Sequence, residues 1–517
     1  MQPESLRFPR GMVASPHHLA SSAGVGVLRR GGNAIDAAVA ANLVLGVVTP
    51  YHCGPGGDLF AIVVEDQEVT AYASNGRAPQ GATVEQVREA AASDEMPVTG
   101  ALTVTVPGAV ADWFELLEQH GTMTFEEVSR DAIALATEGF VVSAHAARHF
   151  RAPRDRYADQ EVWQDLFGHL DVGVRLLQPE MTRTLEVLAS EGPRALYGGQ
   201  IGEAIVSTLQ AEGSSMSLED LAAHEVVAVE PLRGRFGDVE VLQLPPPTQG
   251  LTALTALGLY DRVRDRAADT VGDLHLQIEA VRAAMADREE HVTDPDHMVA
   301  RPADLLADER LDVIASSIQV DRTSPWPPSR PAPGGTAYLC AADADGRAIS
   351  LIQSNFMGFG SGVVVPGWGI NLQNRGAQFS LDPDHVNVIA PRKRTLHTLI
   401  PGLALRDGKP WLVFGTMGGD GQPQIHLQVL RRIVHGGEDL ATALDAPRFV
   451  VSPADGSVMI EQRVGRAAID ALRGRDHELT IMGDYEHLMG HAHAVELAGG
   501  DLIAASDPRS EGAANGW

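Results

Sequence analysis

Residues 329–353 read SRPAPGGTAYLCAADADGRAISLIQ. Both sides of Asp345-Gly346 are rich in β-formers, and an Asp-Gly pair between two such runs is the strongest short-range hairpin signal. Thr336 opens the first strand of that hairpin. Upstream, DRTSPWPPSRPAPGG (321–335) holds five prolines and can be neither a helix interior nor a central strand, so it reads as an exposed connector. A proline-rich connector that ends in two glycines and abuts a threonine at a strand start is the most informative junction in the chain.

A threonine hydroxyl is a weak nucleophile, and the sequence offers no G-x-S-x-G elbow to activate one. Were the peptide bond between Gly335 and Thr336 cut, the new α-amine, with an unperturbed pKa of about 7.7–8.0, could take the hydroxyl proton near neutral pH. Nucleophile and base would then be one residue. Read alone, the junction also fits a threonine that merely opens a strand, since β-branched residues favour strands.

Outward from the hairpin, GGNAIDAAVAANLVLGVV (31–48) has apolar residues at three- and four-residue spacing after Asn33, which predicts a buried helix with Asn33 as N-cap. FAIVVEDQEVTAY (60–72) predicts two strands turning at Asp66-Gln67, and LHLQIEAVRAAMAD (274–287) predicts a helix. Short strands and helices alternate on through Met417, Gly418 and Gly419, with no internal repeat. Mixed α and β layers are the simplest architecture for this order.

The 517 residues are 44% hydrophobic, enough for one large core or two smaller ones, and 53 glycines with 31 prolines indicate many turns and exclude a coiled coil. Forty Lys+Arg against 68 Asp+Glu give a net charge of −28, which repels phosphate backbones and anionic lipid, so neither nucleic acid nor membrane is expected as a partner. Cys53 and Cys340 are the only cysteines, too few for a disulfide framework or a thiolate zinc site. MQPESLRFPRGMV lacks the apolar run of a secretory signal, and no run of about 18 apolar residues follows, so a cytoplasmic protein is expected. His17-His18 and His491-x-His493 are short-spaced pairs with no third ligand in register, and metal chemistry is not expected from them.

The chain resembles the γ-glutamyltransferase family of N-terminal-nucleophile hydrolases. Six segments carry the resemblance in family order: GGNAIDAAVAANLVLGVV at 31–48, GPGGDLF at 54–60, VPGAVADW at 106–113, EGPRALYGG at 191–199, LPPPTQG at 244–250 and DPRSEGAA at 507–514. In that family a proenzyme cuts itself before a threonine. The resemblance therefore implies Thr336 as nucleophile, Gly335/Thr336 as cleavage site, and Ser354 in SLIQSNFMGFGSG (350–362) at the place of the threonine that supports the nucleophile's amine. Gly418 and Gly419 in FGTMGGDGQPQ (414–424) match the paired glycines whose N–H groups form the oxyanion hole.

The substrate contacts depart from the transpeptidases. The arginine that grips the substrate's α-carboxylate has its nearest equivalent in Arg77 of SNGRAP (74–79), two residues closer to Ala78-Pro79, with Asn75 at the matched position. The acidic residue that holds the α-amino group falls on Gln378 in GINLQNRGAQFS (369–380), and a neighbouring glutamine on Arg375. The asparagine near the supporting threonine falls on Phe356, with Asn355 one residue before it. Two carboxylate-binding serines become His397 and Thr398 in KRTLHTLIP (393–401); His397 reads equally as a substrate contact or as packing. Between Phe379 and Lys393 the chain is shorter than in members with a lid loop, which implies an open pocket. Loss of an acid and gain of a cation favour an acyl group that bears a carboxylate and no α-amine, as in the glutaryl-cephalosporin acylases and oxamate amidohydrolase of the family.

The resemblance thus implies an α+β, four-layer αββα sandwich in which 1–335 form a large and 336–517 a small fragment that stay associated as one unit. It implies a small-molecule amide or peptide substrate, either γ-glutamyl as in glutathione metabolism or glutaryl- or oxamate-like, and no metal or organic cofactor. A homo-oligomer is compatible with it. An alternative of another class, a family member that never cleaves and acts as a binding subunit, is motivated by Ala337 and Phe356 standing where polar residues are usual.

Overall fold

The computed structural model describes residues 4–326 and 335–517. The hairpin forms as strands Gly335–Asp343 and Ala348–Phe356, paired antiparallel from Gly335 opposite Phe356 to Ala342 opposite Ala348. Gly346 takes φ 84° in the turn, and the Asp343 carboxylate accepts the N–H groups of Asp345 and Arg347 at 3.0 and 3.1 Å. The strand begins at Gly335, one residue before the expected start, and the register shifts between Gly335 and Ala337. That bulge frees Thr336 from the regular ladder. Every residue of both strands is buried.

The hairpin lies at the centre of a seven-stranded sheet. Its order is Ala513–Gly516, Gly11–Ser15, Gly335–Asp343, Ala348–Phe356, Asp58–Glu65, Glu68–Ser74 and Val227–Val229. The expected pair of strands at 60–72 is the Asp58–Ser74 part of it, turning through Asp66 and Gln67 at φ 51° and 67°. A second seven-stranded sheet runs Leu6–Phe8, Asp501–Ser506, Ala492–Ala498, Lys409–Thr416, Gly402–Arg406, Val239–Gln243 and Leu232–Phe236. The two pack face to face, Phe60, Ile62, Tyr338 and Cys340 of the first against Leu242, Leu403, Val413 and Val495 of the second.

Helices cover both outer faces. Ala34–Val48 starts at Asn33, whose Oδ1 accepts the N–H groups of Ile35 and Asp36 while Asp36 accepts that of Asn33, a capping box worth about 1 kcal/mol. It is buried all round because it is wedged between the sheet that carries Thr336 and helices Ala109–His120 and Phe125–Glu138. On the other side lie Gly250–Val263, Thr270–His291 and Gln422–Leu430; the second of these extends the helix expected at 274–287 at both ends. The result is the expected αββα sandwich. Both sheets take strands from before and after Gly335, so neither part of the chain has a core of its own.

Of the connector, Asp321, Arg322 and Pro325 are exposed, while Trp326 donates its indole N–H to the Pro453 carbonyl at 3.0 Å. Residues 327–334 lie outside the described residues. No helix among the described residues is long and apolar enough to cross a membrane.

Candidate active site

Thr336 is 1% exposed at the end of the central strand. Its hydroxyl donates to Ser354 Oγ at 3.1 Å, and Ser354 donates to the Gly335 carbonyl oxygen at 2.7 Å. The N–H of Phe356 also donates to Ser354 Oγ, at 2.7 Å. With one donor and two acceptor sites in use, the Ser354 hydroxyl is held in a single orientation. It ties the Thr336 hydroxyl to the carbonyl of the peptide bond that precedes it.

Strand Lys409–Thr416 brings a glycine turn to the same end of the molecule. A Cβ at Gly415 would run into the Tyr338 ring, two residues past Thr336, so glycine there lets the two sheets meet. Gly418 and Gly419 follow at φ 144° and 55°, values that favour glycine. Thr416 Oγ1 donates to the Met417 carbonyl and Gly421 N–H to the Gly418 carbonyl, at 2.7 and 2.8 Å. Because N–H and C=O of a peptide point opposite ways, these bonds turn the N–H groups of Gly418 and Gly419 away from the turn's interior. Gln249 locks the next peptide, donating to the carbonyls of Gly419 and Thr398 at 2.8 Å each, and Arg288 in turn holds Gln249 Oε1 and Asp420 at 2.8 and 2.6 Å.

A buried cation lies beside the Thr336–Ser354 pair. Phe356 has φ 78°, a costly conformation for a bulky residue. It places the N–H of Phe356 on Ser354 and its ring 3.9 Å beneath the Arg375 guanidinium. Arg375 is 1% exposed and donates from Nη1 to Thr398 Oγ1 at 3.0 Å, while its Nε and Nη2 have no partner among the described residues. Burial pulls it down to about 9, against the pull of Asp58 and Asp420. Both carboxylates are engaged elsewhere. Asp420 pairs with Arg288. Asp58 accepts from Gln373 Nε2 at 3.0 Å, from the N–H groups of Gly76 and Gly108, and from His397 Nε2 at 3.1 Å. Burial pushes Asp58 up to about 7. A buried guanidinium whose Nε and Nη2 have no partner among the described residues is equipped to take an anion.

The chain matches the family model described as gamma-glutamyltranspeptidase over residues 20–517. It is 37% identical to the oxamate amidohydrolase proenzyme of Klebsiella pneumoniae subsp. pneumoniae over 98% of each chain, and 36% identical to the glutathione hydrolase-like YwrD proenzyme of Bacillus subtilis over 99% of each. Cephalosporin acylase from Bacillus halodurans shares its fold at a TM-score of 0.95 and 35% identity, covering 100% of this chain and 97% of that one. This chain belongs to the γ-glutamyltranspeptidase family. It is an enzyme of that family's hydrolase and acyltransferase chemistry, with the N-terminal-nucleophile fold.

Against the family pattern, the structure brings Thr336, Ser354, Arg375 and Thr398 into one hydrogen-bonded and stacked group, with the Gly418-Gly419 turn tied to Thr398 through Gln249. His397 is fully buried; its Nδ1 accepts the Leu399 N–H at 3.3 Å, so Nε2 carries the proton given to Asp58, and both nitrogens are engaged within the protein. Asn355 points away from this group, its Nδ2 donating to the Pro50 carbonyl at 3.3 Å. Gln378 lines a cavity of about 560 Å³ with Arg288, Glu289, Phe379 and Asn387. Arg77 faces a different cavity, beside His224 and Arg394, with its guanidinium 3.5 and 3.6 Å from Asp294 and Asp296. The short 380–393 segment is fastened by Lys393, whose ammonium donates to the Val386 and Val388 carbonyls at 2.8 and 3.0 Å.

Sequence reasoning missed Asp58, Gln249 and Arg288. The first two lie inside GPGGDLF and LPPPTQG, motifs quoted for the resemblance without a role for these residues. It also missed a histidine cluster in which His52, His145, His149, His487 and His491 pack ring against ring at 4.8–6.3 Å. The spacings His145-x3-His149 and His487-x3-His491 were the available signal.

Proposed function

We propose that the chain cuts itself between Gly335 and Thr336 and then hydrolyses amides whose acyl group carries a carboxylate and no α-ammonium, the class of glutaryl and oxalyl amides. Arg375 carries this reading: it is a buried cation whose Nε and Nη2 have no partner among the described residues, one aromatic ring away from Ser354. An α-ammonium would need an anion, and the nearby carboxylates are engaged, Asp58 by His397 and Gln373 and Asp420 by Arg288. The names of the Klebsiella and Bacillus halodurans proteins, an oxamate amidohydrolase and a cephalosporin acylase, agree with this class.

In the uncut chain, Thr336 Oγ1 attacks the Gly335 carbonyl carbon while the Ser354 hydroxyl steadies the oxygen. The C–N bond breaks, the threonine nitrogen keeps the transferred proton, and water hydrolyses the resulting ester to leave a Gly335 carboxylate and a free Thr336 amine. Large and small fragments stay together because both sheets are shared. In the cut enzyme the α-amine takes the hydroxyl proton as Thr336 attacks the substrate amide, and the N–H groups of Gly418 and Gly419 hold the developing oxyanion. Arg375 grips the acyl group's distal oxygens, and the amine passes its proton to the leaving nitrogen. Water then releases the acid.

The test is a comparison of kcat/KM for oxamate, a glutaryl amide and γ-glutamyl-p-nitroanilide with the purified protein. A preference of roughly 100-fold or more for either of the first two is expected. Hydrolysis of the γ-glutamyl compound as fast as both would overturn the assignment.

A further inference from the structure

Far from Thr336, helix Thr270–His291 carries His275 and Glu279 four residues apart, hence on one face. His477 meets them from the turn between helix Arg466–Arg473 and strand Leu479–Met482. One ligand atom from each of the three lies within 4.8 Å of the others, and all three are buried.

The hydrogen bonds fix where the lone pairs are. His275 Nε2 lies 2.9 Å from the Gln319 carbonyl, which can only accept, so Nε2 carries the His275 proton and Nδ1 is a lone pair. That lone pair faces His477 Nε2 at 2.8 Å, so Nε2 carries the His477 proton there. His477 Nδ1 is consequently a bare lone pair, 4% exposed and with no partner among the described residues. Glu279 is steadied by Thr323 Oγ1 at 3.0 Å and the Ser324 N–H at 2.8 Å, with Arg282 at 3.5 Å. A ring nitrogen held by a backbone carbonyl and a carboxylate held by outer donors are the usual setting of ligating histidine and glutamate.

We infer that His275 Nδ1, His477 Nε2 and a Glu279 oxygen form a binding site for a divalent cation of the zinc class, for which two imidazoles and a carboxylate are a suitable donor set. Binding needs no proton release: the His477 proton moves from Nε2 to the bare Nδ1, and Nε2 turns its lone pair to the metal. The cation would sit among Glu279 and Asp321 on one side and Arg282 and Arg475 on the other, the charges that act on the two rings. Thr323 and Ser324, which hold Glu279, belong to the stretch that leads to Gly335. If the chain cuts itself as proposed above, the metal joins helix Thr270–His291 of the large fragment, with Thr323 and Ser324 of its tail bonded to Glu279, to His477 of the small one.

Full-length protein, stripped with a chelator, is titrated with Co²⁺ and then Zn²⁺. The expected result is a visible Co²⁺ ligand-field band that saturates near about one equivalent and is displaced by Zn²⁺, in the wild type and in the uncut Thr336→Ala chain alike. Glu279→Gln and His477→Gln should each lose it. A wild type with no band and no Zn²⁺-dependent rise in thermal midpoint overturns the site, and that result needs no variant to fold. Folded variants that keep the band also overturn it. Because the titration is read in the uncut chain as well, failure of self-cleavage and failure of the metal site are separate results.

Discussion

The two ends of the candidate active site differ in how completely they are bonded. Around Thr336 every group shown has a partner: the threonine hydroxyl on Ser354, Ser354 on the Gly335 carbonyl, the Phe356 N–H back on Ser354. Around Arg375, one aromatic ring away, a buried guanidinium has Nε and Nη2 without a partner among the described residues. The first arrangement can act on the chain's own peptide bond. The second is incomplete until something anionic arrives, because an unsatisfied buried charge costs several kcal/mol. Phe356 joins them, its strained backbone serving one end and its ring the other.

The sharpest way to break this contrast is at Ser354. Ser354→Ala removes the donor on the Gly335 carbonyl and should slow self-cleavage by roughly 10²–10³-fold, followed as fragment appearance by denaturing electrophoresis, with Ser354→Thr restoring it. Arg375→Leu should leave cleavage in place and lower kcat/KM for oxamate or a glutaryl amide by roughly 100-fold, most of it in KM.

A pH profile probes the same pocket more gently. Asp58, held up at about 7, is protonated below that value and leaves the Arg375 charge uncompensated; Arg375, at about 9, keeps its proton through this window. KM for an anionic acyl amide should therefore rise several-fold as pH passes upward through about 7, and Asp58→Asn should flatten KM at its low-pH value. kcat should instead rise with pH as the Thr336 amine loses its proton, near its unperturbed pKa of about 7.7–8.0. The smallest effect is expected from Gln378→Asp, a gain of a few-fold, roughly tenfold at most, for γ-glutamyl-p-nitroanilide over the wild type.

The surroundings of Thr336 were legible in the sequence because they are local. Asp345-Gly346 sets the hairpin and Asn33 starts the helix beneath it, while Ser354 came from the family resemblance and its bond to Thr336 from the structure. The proposed acyl pocket around Arg375 was legible in its residue types and not in its state of bonding. That Arg375 lacks a carboxylate partner depends on Asp58 and Asp420 being taken by residues that come from elsewhere in the chain. Arg77 shows the same limit: beside Ala78-Pro79 it reads as a clamp, yet Asp294 and Asp296, more than two hundred positions on, hold its guanidinium. His275 and His477, 202 residues apart, share no pattern that spacing could reveal.

The most direct test of the account is intact mass spectrometry of the purified chain beside its Thr336→Ala variant after incubation at neutral pH. The account predicts two wild-type fragments that join at Gly335/Thr336, and a variant that stays whole. A wild-type chain that stays whole, or a variant that is cut at the same bond, would contradict it.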